Sequence, residues 1–573
     1  MKEKILNILK SNLLFSIILN ILIMLFCIQI TSFSYDDSKD FFNSLYICKN
    51  HFYYSNTINY ILSTLIGSIQ YAFAGFNCFV LAQVLMSCVS FISISYVFAD
   101  KYSKRKAFVI SIILNILFCL NHYSAIQSSK TSAILLTAGF LLILNAVHNK
   151  KYNLPCWIGV AEIAFGSFLD YRYFFIALTF GIAFFIGDMI SKRKYKIQFR
   201  KFFWYSRPFL LIFAFAALVV IGLNQYSISV NHATEEASDY CEYASLTDSI
   251  NSLPYPDFNE HIEEFNSVGI TTESDYELLK NGYFDPNNAL NTDTLKLVFD
   301  IQQTENNKSL LYSASTIFID ISGHFVLLDC YGIIIISFVI LSVLFIILQK
   351  RRFVFFPFLY LFTGFVSSVI LRFYYSVQDY HIYGIWMMML VFLLYSFNFE
   401  QLRPRFKNSF DGIKKRTVII SCISISCLFA FYSIVYIINY NPINDKDIPN
   451  SLFSEIDRHP DRYYVLDVTT AEEYIKYTEN YIHPMWGFRK SFLENVDGFG
   501  YFHHYENLRK RNMSENIYEA VLSNNKIYVV DKNITFRKER YFTKNYAKED
   551  NVIIYNQVNE IDGYKIYEVI ELA

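Results

Sequence analysis

Charged residues are scarce in this chain of 573 residues. They make up 18% of the sequence, whereas hydrophobic residues make up 53%. Several stretches carry almost no charge over about twenty residues, which is the length that a helix needs to cross ~30 Å of hydrocarbon. Soluble domains carry more charge than this, so the composition predicts a polytopic α-helical membrane protein.

The sequence also lacks the short motifs of several common enzyme classes. It contains no GxxxxGK[ST] phosphate loop, no GxGxxG, no HExxH and no GxSxG. ATP-driven transport, dinucleotide chemistry, zinc proteolysis and α/β-hydrolase chemistry are therefore not indicated. Neither a CxxC pair nor a pair of histidines at metal-binding spacing occurs, so no structural zinc site is expected.

Eleven apolar segments predict membrane spans. The first has no small-residue cleavage site, so we expect it to stay as an anchor. Lys and Arg gather in every second loop, which by the positive-inside rule places the N-terminus in the cytoplasm of a multi-pass cell-membrane protein. The predicted spans are 13–32, 77–99, 107–122, 131–148, 155–169, 173–190, 203–224, 331–349, 353–372, 382–398 and 417–439.

The fifth and sixth of these spans are the shortest pair. Their 36 residues, 155–190, reach only ~54 Å as helix, slightly less than two perpendicular crossings need. Both flanking loops are basic and must share a side, so this segment is either two short spans or a re-entrant hairpin. In either case Asp170 and Arg172 lie at its outer turn.

Two hydrophilic regions fall on the outer side. Residues 226–330 hold 18 Asp and Glu against three Lys, which is unlike a cytoplasmic loop and predicts a small ordered cap. Residues 441–573 alternate short β-rich runs with helical patterns and predict a separate extracytoplasmic α/β domain. The remaining 1–440 form the transmembrane domain, which includes a first outer loop at 33–76 and the acidic loop.

Polar residues gather at the predicted outer ends of the spans. Lys and Arg are disfavoured there, so the three basic residues among them need a local partner, which a shared anionic ligand would supply. The candidates are Asp36, Asp37 and Asp40 after the first span, His122 and Lys130 between the third and fourth, Asp170 and Arg172 between the fifth and sixth, and Arg372, Asp379 and His381 between the ninth and tenth.

The order of these elements resembles the GT-C class of integral membrane glycosyltransferases. An acidic pair, Tyr35-Asp36-Asp37-Ser38, ends the first span, and the amphipathic stretch Phe52–Phe73 follows it. Ile58, Ile61, Leu62 and Leu65 are predicted to share one face of that stretch. The resemblance implies inverting, metal-independent transfer of a sugar from a polyprenyl-phosphate donor in the membrane to a cell-envelope glycan or glycolipid acceptor.

Such a transfer needs a base for the acceptor hydroxyl and positive charge for the departing phosphate. Asp36 or Asp37 is the candidate base. Lys130, Arg172 and Arg372 are the candidate phosphate ligands, because their charge matches that group. The other candidates would line the substrate site. No cofactor is expected, although the acidic residues at 36, 37 and 40 could hold a divalent cation.

Other interpretations stay open. A transporter or flippase of lipid-linked glycans would need charges through the depth of the bilayer, whereas these lie mostly at helix ends. A non-catalytic scaffold would use the C-terminal domain to bind an envelope partner. The acidic pair could be solvated, Asp170 and Arg172 could form a local ion pair, and Arg372 could extend to lipid headgroups. Nucleic acid is not expected as a partner, because the outer regions lack a concentrated basic face.

Overall fold

A computed structural model gives the fold as an apolar helical bundle joined to a second body. This second body contains the acidic region and the C-terminal sheet, and we call it the extramembrane body. The three acidic residues at 36, 37 and 40 and the predicted span 417–439 lie outside the residues that it describes. Those residues are 11–30, 34–35, 58–73, 77–102, 104–191, 199–251, 253–305, 310–327, 330–374, 379–402, 450–468, 470, 495–500, 505–524, 526–532, 536–548 and 550–572.

Sixteen α-helices and two short strands are described up to residue 402, besides the short 3₁₀ helices Arg351–Phe353 and Phe399–Gln401. In chain order they are α1 (Asn12–Ile30), β1 (Ser34–Tyr35), α2 (Tyr60–Ala72), α3 (Cys78–Lys101), α4 (Lys104–Ser124), β2 (Ala125–Ile126), α5 (Ser128–Asn149), α6 (Leu154–Leu169), α7 (Arg172–Ser191), α8 (Phe199–Asn231), α9 (Glu235–Ile250), α10 (Ile262–Ser267), α11 (Glu273–Lys280), α12 (Thr292–Glu305), α13 (Leu310–Leu327), α14 (Cys330–Leu348), α15 (Phe355–Tyr374) and α16 (Asp379–Ser396).

Five helices in this described part are long and apolar enough to cross a membrane. They are α3, α5, α15, the segment Arg207–Asn231 of α8 and the segment Tyr331–Leu348 of α14. Shorter apolar stretches occur in α1, α4, α6 and α16. Each of the first ten predicted spans coincides with a helix, because long apolar runs satisfy their backbone hydrogen bonds internally as helix.

The centre of the bundle is α5, which is almost entirely buried and packs against α3, α6, α7 and α16. Its contact with α6 is a backbone contact. A Cβ atom on Gly139 would lie 2.6 Å from the carbonyl oxygen of Gly159, and one on Gly159 would lie 2.8 Å from that of Gly139. Only glycine fits at such positions, so these residues set the separation of the two helices.

The two ends of the bundle differ in charge. At one end, Lys101 of α3 donates to the carbonyl oxygen of Tyr395 in α16, and the backbone N–H of Lys350, after α14, donates to that of Gln401. We call this the basic end. The opposite end carries α2 and the turn between α6 and α7, and it continues from α8 into the acidic region; we call it the domain end.

The amphipathic stretch after the first span contains α2, at the domain end. Ile58 and Leu62 are both buried, and the backbone N–H of Asn59 donates to the carbonyl oxygen of Phe168 at 2.7 Å. Leu65, predicted to share their face, is 48% exposed, and Ile69 is 45% exposed, so the prediction for Leu65 is wrong. The helix therefore has one apolar face towards the bundle and a second one outside.

The acidic region is shorter than the predicted 226–330. Helix α8 continues to Asn231, and α13 is an apolar helix that packs on α14 and α15, so it belongs to the bundle. Between them, α9 to α12 form a small helical unit. Leu295, Val298 and Ile301 have the spacing of one helix face; they lie in α12, and their side chains are buried.

The C-terminal region folds around a five-stranded sheet. The elements are α17 (Asn450–Arg458), β3 (Tyr463–Leu466), β4 (Val496–Gly498), α18 (Tyr505–Lys510), α19 (Ile517–Ser523), β5 (Ile527–Asp531), α20 (Phe536–Tyr546), β6 (Val552–Ile561) and β7 (Tyr564–Leu572). The strand order is β4-β3-β5-β7-β6; β4, β3 and β5 are parallel, and β7 pairs antiparallel with both β5 and β6. The β-rich runs of the sequence that begin at Tyr463, Lys526, Val552 and Tyr564 coincide with strands. Strand β4 was not predicted, because three residues give no periodicity.

The C-terminal sheet domain and the acidic region pack against each other, a contact that the sequence did not predict. A Cβ atom on Gly500, just after β4, would lie 2.8 Å from the carbonyl oxygen of Gly282. Tyr283 stacks on Phe499 with ring centroids 5.9 Å apart. The carboxyl edge of parallel strands is the usual ligand crevice in α/β sheets. Here the turn after α11 packs at that edge.

A buried carboxylate strengthens this junction. Asp285 of the acidic region has no solvent exposure. Its Oδ2 accepts hydrogen bonds from the hydroxyls of Tyr541 and Tyr546 in α20, at 2.9 and 2.6 Å, and from the side-chain amide of Asn288 at 2.9 Å. Asp285 therefore links the acidic region to the C-terminal domain.

We expect Asp285→Ala to open this junction. The change removes the acceptor of two tyrosine hydroxyls, the buried one of Tyr541 and the partly buried one of Tyr546, and should cost about 3 kcal/mol. Hydrogen–deuterium exchange on the full chain should show faster exchange in α11 and α20, with little change in α5. Asp300→Ala, at an exposed position of α12, is the matched control. Unchanged exchange in α11 and α20 of Asp285→Ala would contradict the linking role.

Candidate functional site

Five of the predicted site residues meet at the domain end of the bundle. They come from the end of α4, the start of α5, the turn between α6 and α7, and the start of α16. Helix ends that leave an apolar bundle at one level bring their polar residues together. We call this set the polar cluster; its members are His122, Lys130, Asp170, Arg172 and His381.

Asp170 and Arg172 form a bidentate ion pair in the interior of the bundle. Asp170 follows the last residue of α6 and is 1% exposed. The Arg172 Nε donates to Oδ1 at 2.8 Å, and Nη2 donates to Oδ2 at 2.7 Å. The Ser129 hydroxyl in α5 donates to Oδ2 at 3.0 Å. Both carboxylate oxygens are thus hydrogen-bonded, which is the arrangement that offsets the cost of burying the pair.

The charge state of Asp170 follows from these contacts. Burial alone would raise the pKa of Asp170, but the charge and hydrogen bonds of Arg172 outweigh it, so the pKa lies below its ordinary value. The carboxyl is therefore ionised at neutral pH, and the pair is neutral as a whole.

His381, in the first turn of α16, extends the ion pair. Its Nε2 lies 3.1 Å from Nη2 of Arg172. A guanidinium can only donate, so Nε2 is the acceptor and the neutral ring carries its proton on Nδ1. The hydroxyl of Tyr173 donates to the backbone carbonyl of His381 at 2.9 Å, which fixes the start of α16 against α7.

Lys130 and His122 form the other half of the cluster. Lys130 is buried, and its Nζ donates to Oδ1 of Asn121 at 2.8 Å. The same Nζ lies 5.5 Å from the centroid of the Tyr383 ring, within range of a cation–π interaction. The His122 ring packs against Tyr383, 5.8 Å between centroids, and edge-on against Phe91.

Two buried polar side chains here have no hydrogen bond in the described part of the chain. Both ring nitrogens of His122 and both amide atoms of Gln127 are in this state, at 3% and 2% residue exposure. A buried polar group without a partner costs free energy, so such groups usually meet water or a ligand. Sequence inspection missed Gln127, because nothing separates it from a loop glutamine until its burial is known.

A short parallel strand pair brings the first outer loop to the cluster. Ser34 pairs with Ala125 and Tyr35 pairs with Ile126. Strand β2 lies between His122 and Lys130 in the chain, and Gln127 follows it directly. Tyr35 is the residue before Asp36, so the chain reaches the acidic pair from beside the cluster. Asp36, Asp37 and Asp40 themselves lie outside the described residues.

Two further predicted site residues, Arg372 and Asp379, are not members of the polar cluster. Arg372 in α15 forms an ion pair with Asp320 of α13, and both side chains are more than a quarter exposed. The sequence prediction did not include Asp320, because α13 was assigned to the acidic loop. A phosphate bound at Arg372 would have to compete with the carboxylate of Asp320. The role of Arg372 as a phosphate ligand stays a prediction. Asp379 begins α16, and its side chain lies outside the described residues.

One group among the described residues has the spacing of metal ligands. Oxygen and nitrogen atoms of Glu260, His261 and Glu305 in the acidic region lie within 4.8 Å of one another. The Nε2 of His261 is 2.7 Å from Oε1 of Glu305, an ordinary hydrogen bond. The group is largely exposed, and exposed acidic side chains of this kind are common without an ion. It carries no argument for a cofactor.

Comparison with protein-family models, curated proteins and solved structures found no match to this chain. The resemblance to GT-C glycosyltransferases therefore depends only on the order of elements and the residues of this chain. Any function proposed for the protein depends mainly on the geometry of the polar cluster.

Replacing Arg172 with Gln should invert the pH dependence of stability. In the wild type, the lowered pKa of Asp170 gives stabilisation that is present above about pH 4 and is lost as the pH falls through the pKa of the folded state. Without Arg172, burial raises that pKa, so the variant loses stability as the pH rises towards neutrality. Thermal unfolding in detergent over this pH range measures both slopes.

At neutral pH the single variant should lose about 3 kcal/mol, because an unpaired carboxylate stays buried. The double variant Asp170→Asn with Arg172→Gln removes both charges and should recover most of that loss. A single variant as stable as the wild type at neutral pH would contradict the buried ion pair.

Proposed function

We propose that this protein is an inverting glycosyltransferase of GT-C-like fold with eleven membrane spans. It transfers a sugar from a polyprenyl phosphate to a cell-envelope acceptor on the outer face. The observation that carries the proposal is the pairing of Tyr35 with Ile126. Through it, the chain segment that leads to Asp36 and Asp37 lies beside a buried cluster with two basic side chains and unpartnered polar atoms.

The cluster has the charge that a lipid phosphate requires. Arg172 is paired with Asp170, and Lys130 brings a further buried positive charge to the cluster. A phosphate at the membrane boundary would find cations at a depth where outward-facing Lys and Arg are otherwise disfavoured. His122 and Gln127 supply hydrogen-bonding atoms that sugar or phosphate oxygens could use.

The chemistry would proceed in one displacement. The acceptor hydroxyl oxygen attacks the anomeric carbon, the bond from that carbon to the phosphate oxygen breaks, and Asp36 or Asp37 takes the hydroxyl proton. A carboxylate with a pKa of ~3.9 accepts this proton only as the hydroxyl becomes acidic in the transition state. The bonding electrons leave with the phosphate oxygen, so the polyprenyl phosphate departs with a second negative charge. Lys130 and Arg172 would stabilise that charge, so no second acid is needed.

The orientation in the membrane follows from the charges at the two ends. The basic end carries Lys101, Lys150, Lys151 and Lys350, whereas the domain end leads into the acidic region. By the positive-inside rule, the basic end faces the cytoplasm, and the extramembrane body lies outside. The polar cluster then opens towards the side on which lipid-linked sugars meet envelope acceptors.

One observation favours a second candidate, a transporter of lipid-linked glycans. Glu162 lies within α6, away from its ends, and is buried. Carriers place ionisable groups in the depth of the bilayer, and the sequence had suggested that this chain does not. A single such residue does not make a path, so the transferase remains the proposal that more of the site supports.

The first test is binding of the phosphate. In lipid nanodiscs, undecaprenyl phosphate should raise the unfolding temperature, whereas undecaprenol, which lacks the phosphate, should not. Lys130→Met should abolish the shift, because it removes a buried positive charge from the cluster. Lys151→Met, an exposed lysine at the basic end, is the matched control and should keep it. Equal shifts with both lipids would exclude phosphate recognition.

The second test is turnover. A panel of radiolabelled polyprenyl-phosphate sugars, with envelope extract as acceptor, should give labelled glycan. Asp36→Asn or Asp37→Asn should reduce the rate at least about a hundredfold, since the variant at the base loses proton transfer. Full activity in both single variants and in the double variant would remove the base assignment. Movement of labelled lipid across the bilayer without transfer would favour the transporter.

A further inference from the structure

Glu162 is a buried carboxyl group inside the apolar bundle. It lies in α6, eight residues before Asp170, which is ~12 Å along a helix axis. Its residue exposure is 3%. No ion pair involves it in the part of the chain that the structure describes. Neither the proposed transfer nor the polar cluster uses this residue, so its presence needs a separate account.

The two oxygens of this carboxyl group have different surroundings. Oε1 accepts a hydrogen bond from the hydroxyl of Ser93 in α3 at 2.6 Å. Oε2 is buried and has no hydrogen bond within the described residues. An ionised carboxylate with one hydroxyl donor and no cation would cost several kcal/mol in such a place. A neutral acid avoids this cost and carries a proton that Oε2 can donate to a water molecule.

Further unpartnered polar atoms occupy the same side of α3. Nε2 of Gln83 and the hydroxyl of Ser87 are buried and lack a hydrogen bond among the described residues. The two residues are one helical turn apart, and Ser90, also buried, continues the same face towards Ser93. Buried polar atoms without protein partners are where internal water is found.

This polar face begins at the polar cluster. The hydroxyl of Thr131, which follows Lys130 in α5, donates to Oε1 of Gln83 at 3.3 Å. Gln83 is ten residues from Ser93, a distance of ~15 Å along α3. Gln83, Ser87, Ser90 and Ser93 therefore bridge the depth between the cluster and Glu162.

We propose that Glu162 is a proton-binding site within the membrane bundle, held as the neutral acid and connected to the polar cluster by water along the polar face of α3. The site takes a proton and no metal ion, because one carboxyl and one hydroxyl are too few ligands for a desolvated cation. The inference stands whether the protein transfers or transports glycans.

Infrared spectroscopy of the full chain in nanodiscs tests the protonation state. The wild type at neutral pH should show the carbonyl stretch of a protonated carboxyl group, and Glu162→Gln should lose it. Ser93→Ala keeps the carboxyl but removes its donor, so the same band should move to higher frequency. Loss of a carboxylate band instead in Glu162→Gln would overturn the proposal, and so would a protonated band unaffected by both variants.

Exchange into D₂O tests the connection to the cluster. The Glu162 band should shift promptly in the wild type, because water reaches the acid, and should shift more slowly in Gln83→Leu, which fills the path with an apolar side chain. Ser368→Ala, a buried serine in α15, is the control and should leave the rate unchanged. A band that does not shift, or that shifts equally fast in Gln83→Leu, would overturn the water connection.

Discussion

The contact of α5 with α6 is the constraint on which the site depends. Gly139 and Gly159 bring the two backbones together, and no side chain larger than hydrogen fits between them. Near the domain end, the hydroxyl of Ser132 in α5 donates to the carbonyl oxygens of Gly166 and Asp170, at 2.7 and 3.1 Å. The end of α6 is thereby fixed to α5. Asp170 is thereby held within reach of the Ser129 hydroxyl of α5.

In the extramembrane body, the carboxyl edge of the parallel strands, where α/β sheets usually bind ligands, is covered by another part of the same chain. Parallel strands β4, β3 and β5 end at one edge, and the turn at Gly282 packs there against Gly500. Lys538 bridges Asp467 and Asp531 at the ends of β3 and β5, at 2.8 and 2.5 Å, so the acids at this edge already have a counter-charge. The acidic region and the sheet domain are thus joined by packing at this edge. Acceptor recognition, if it involves this body, would use surfaces other than that edge.

Much of the fold could be predicted because hydropathy acts locally. The helices at the first ten predicted spans are marked by local apolar runs, and α12 and the long strands carry their periodicity in their own residues. What could not be predicted depends on distant contacts. The union of the two hydrophilic regions requires knowing that Asp285 meets Tyr541 and Tyr546, and the place of α13 in the bundle requires knowing its packing partners.

In the candidate site, too, some residues could be predicted from local sequence and others only from their contacts in the fold. Charge at helix ends was enough to select His122, Lys130, Asp170, Arg172 and His381, since topology disfavours such residues without a partner. Gln127 and Glu162 were not selected, because their significance lies in burial without a hydrogen-bond partner, which a sequence does not show. Arg372 was selected by the same charge argument but pairs with Asp320, which illustrates that outward charge requires a partner and does not say which one.

The polar groups without a hydrogen-bond partner among the described residues lie at two depths of the bundle, and each depth suits a different function. Atoms of His122 and Gln127 lie at the domain end, where the proposed transfer would bind its substrate, so they suit recognition. Glu162 lies deeper, and the proton that we propose for it would not be consumed by glycosyl transfer, in which Asp36 or Asp37 would take the acceptor's proton. A deep acid without a part in transfer has to serve stability or a change of conformation. Stability is a poor explanation, since an apolar residue would fill the same space at lower cost.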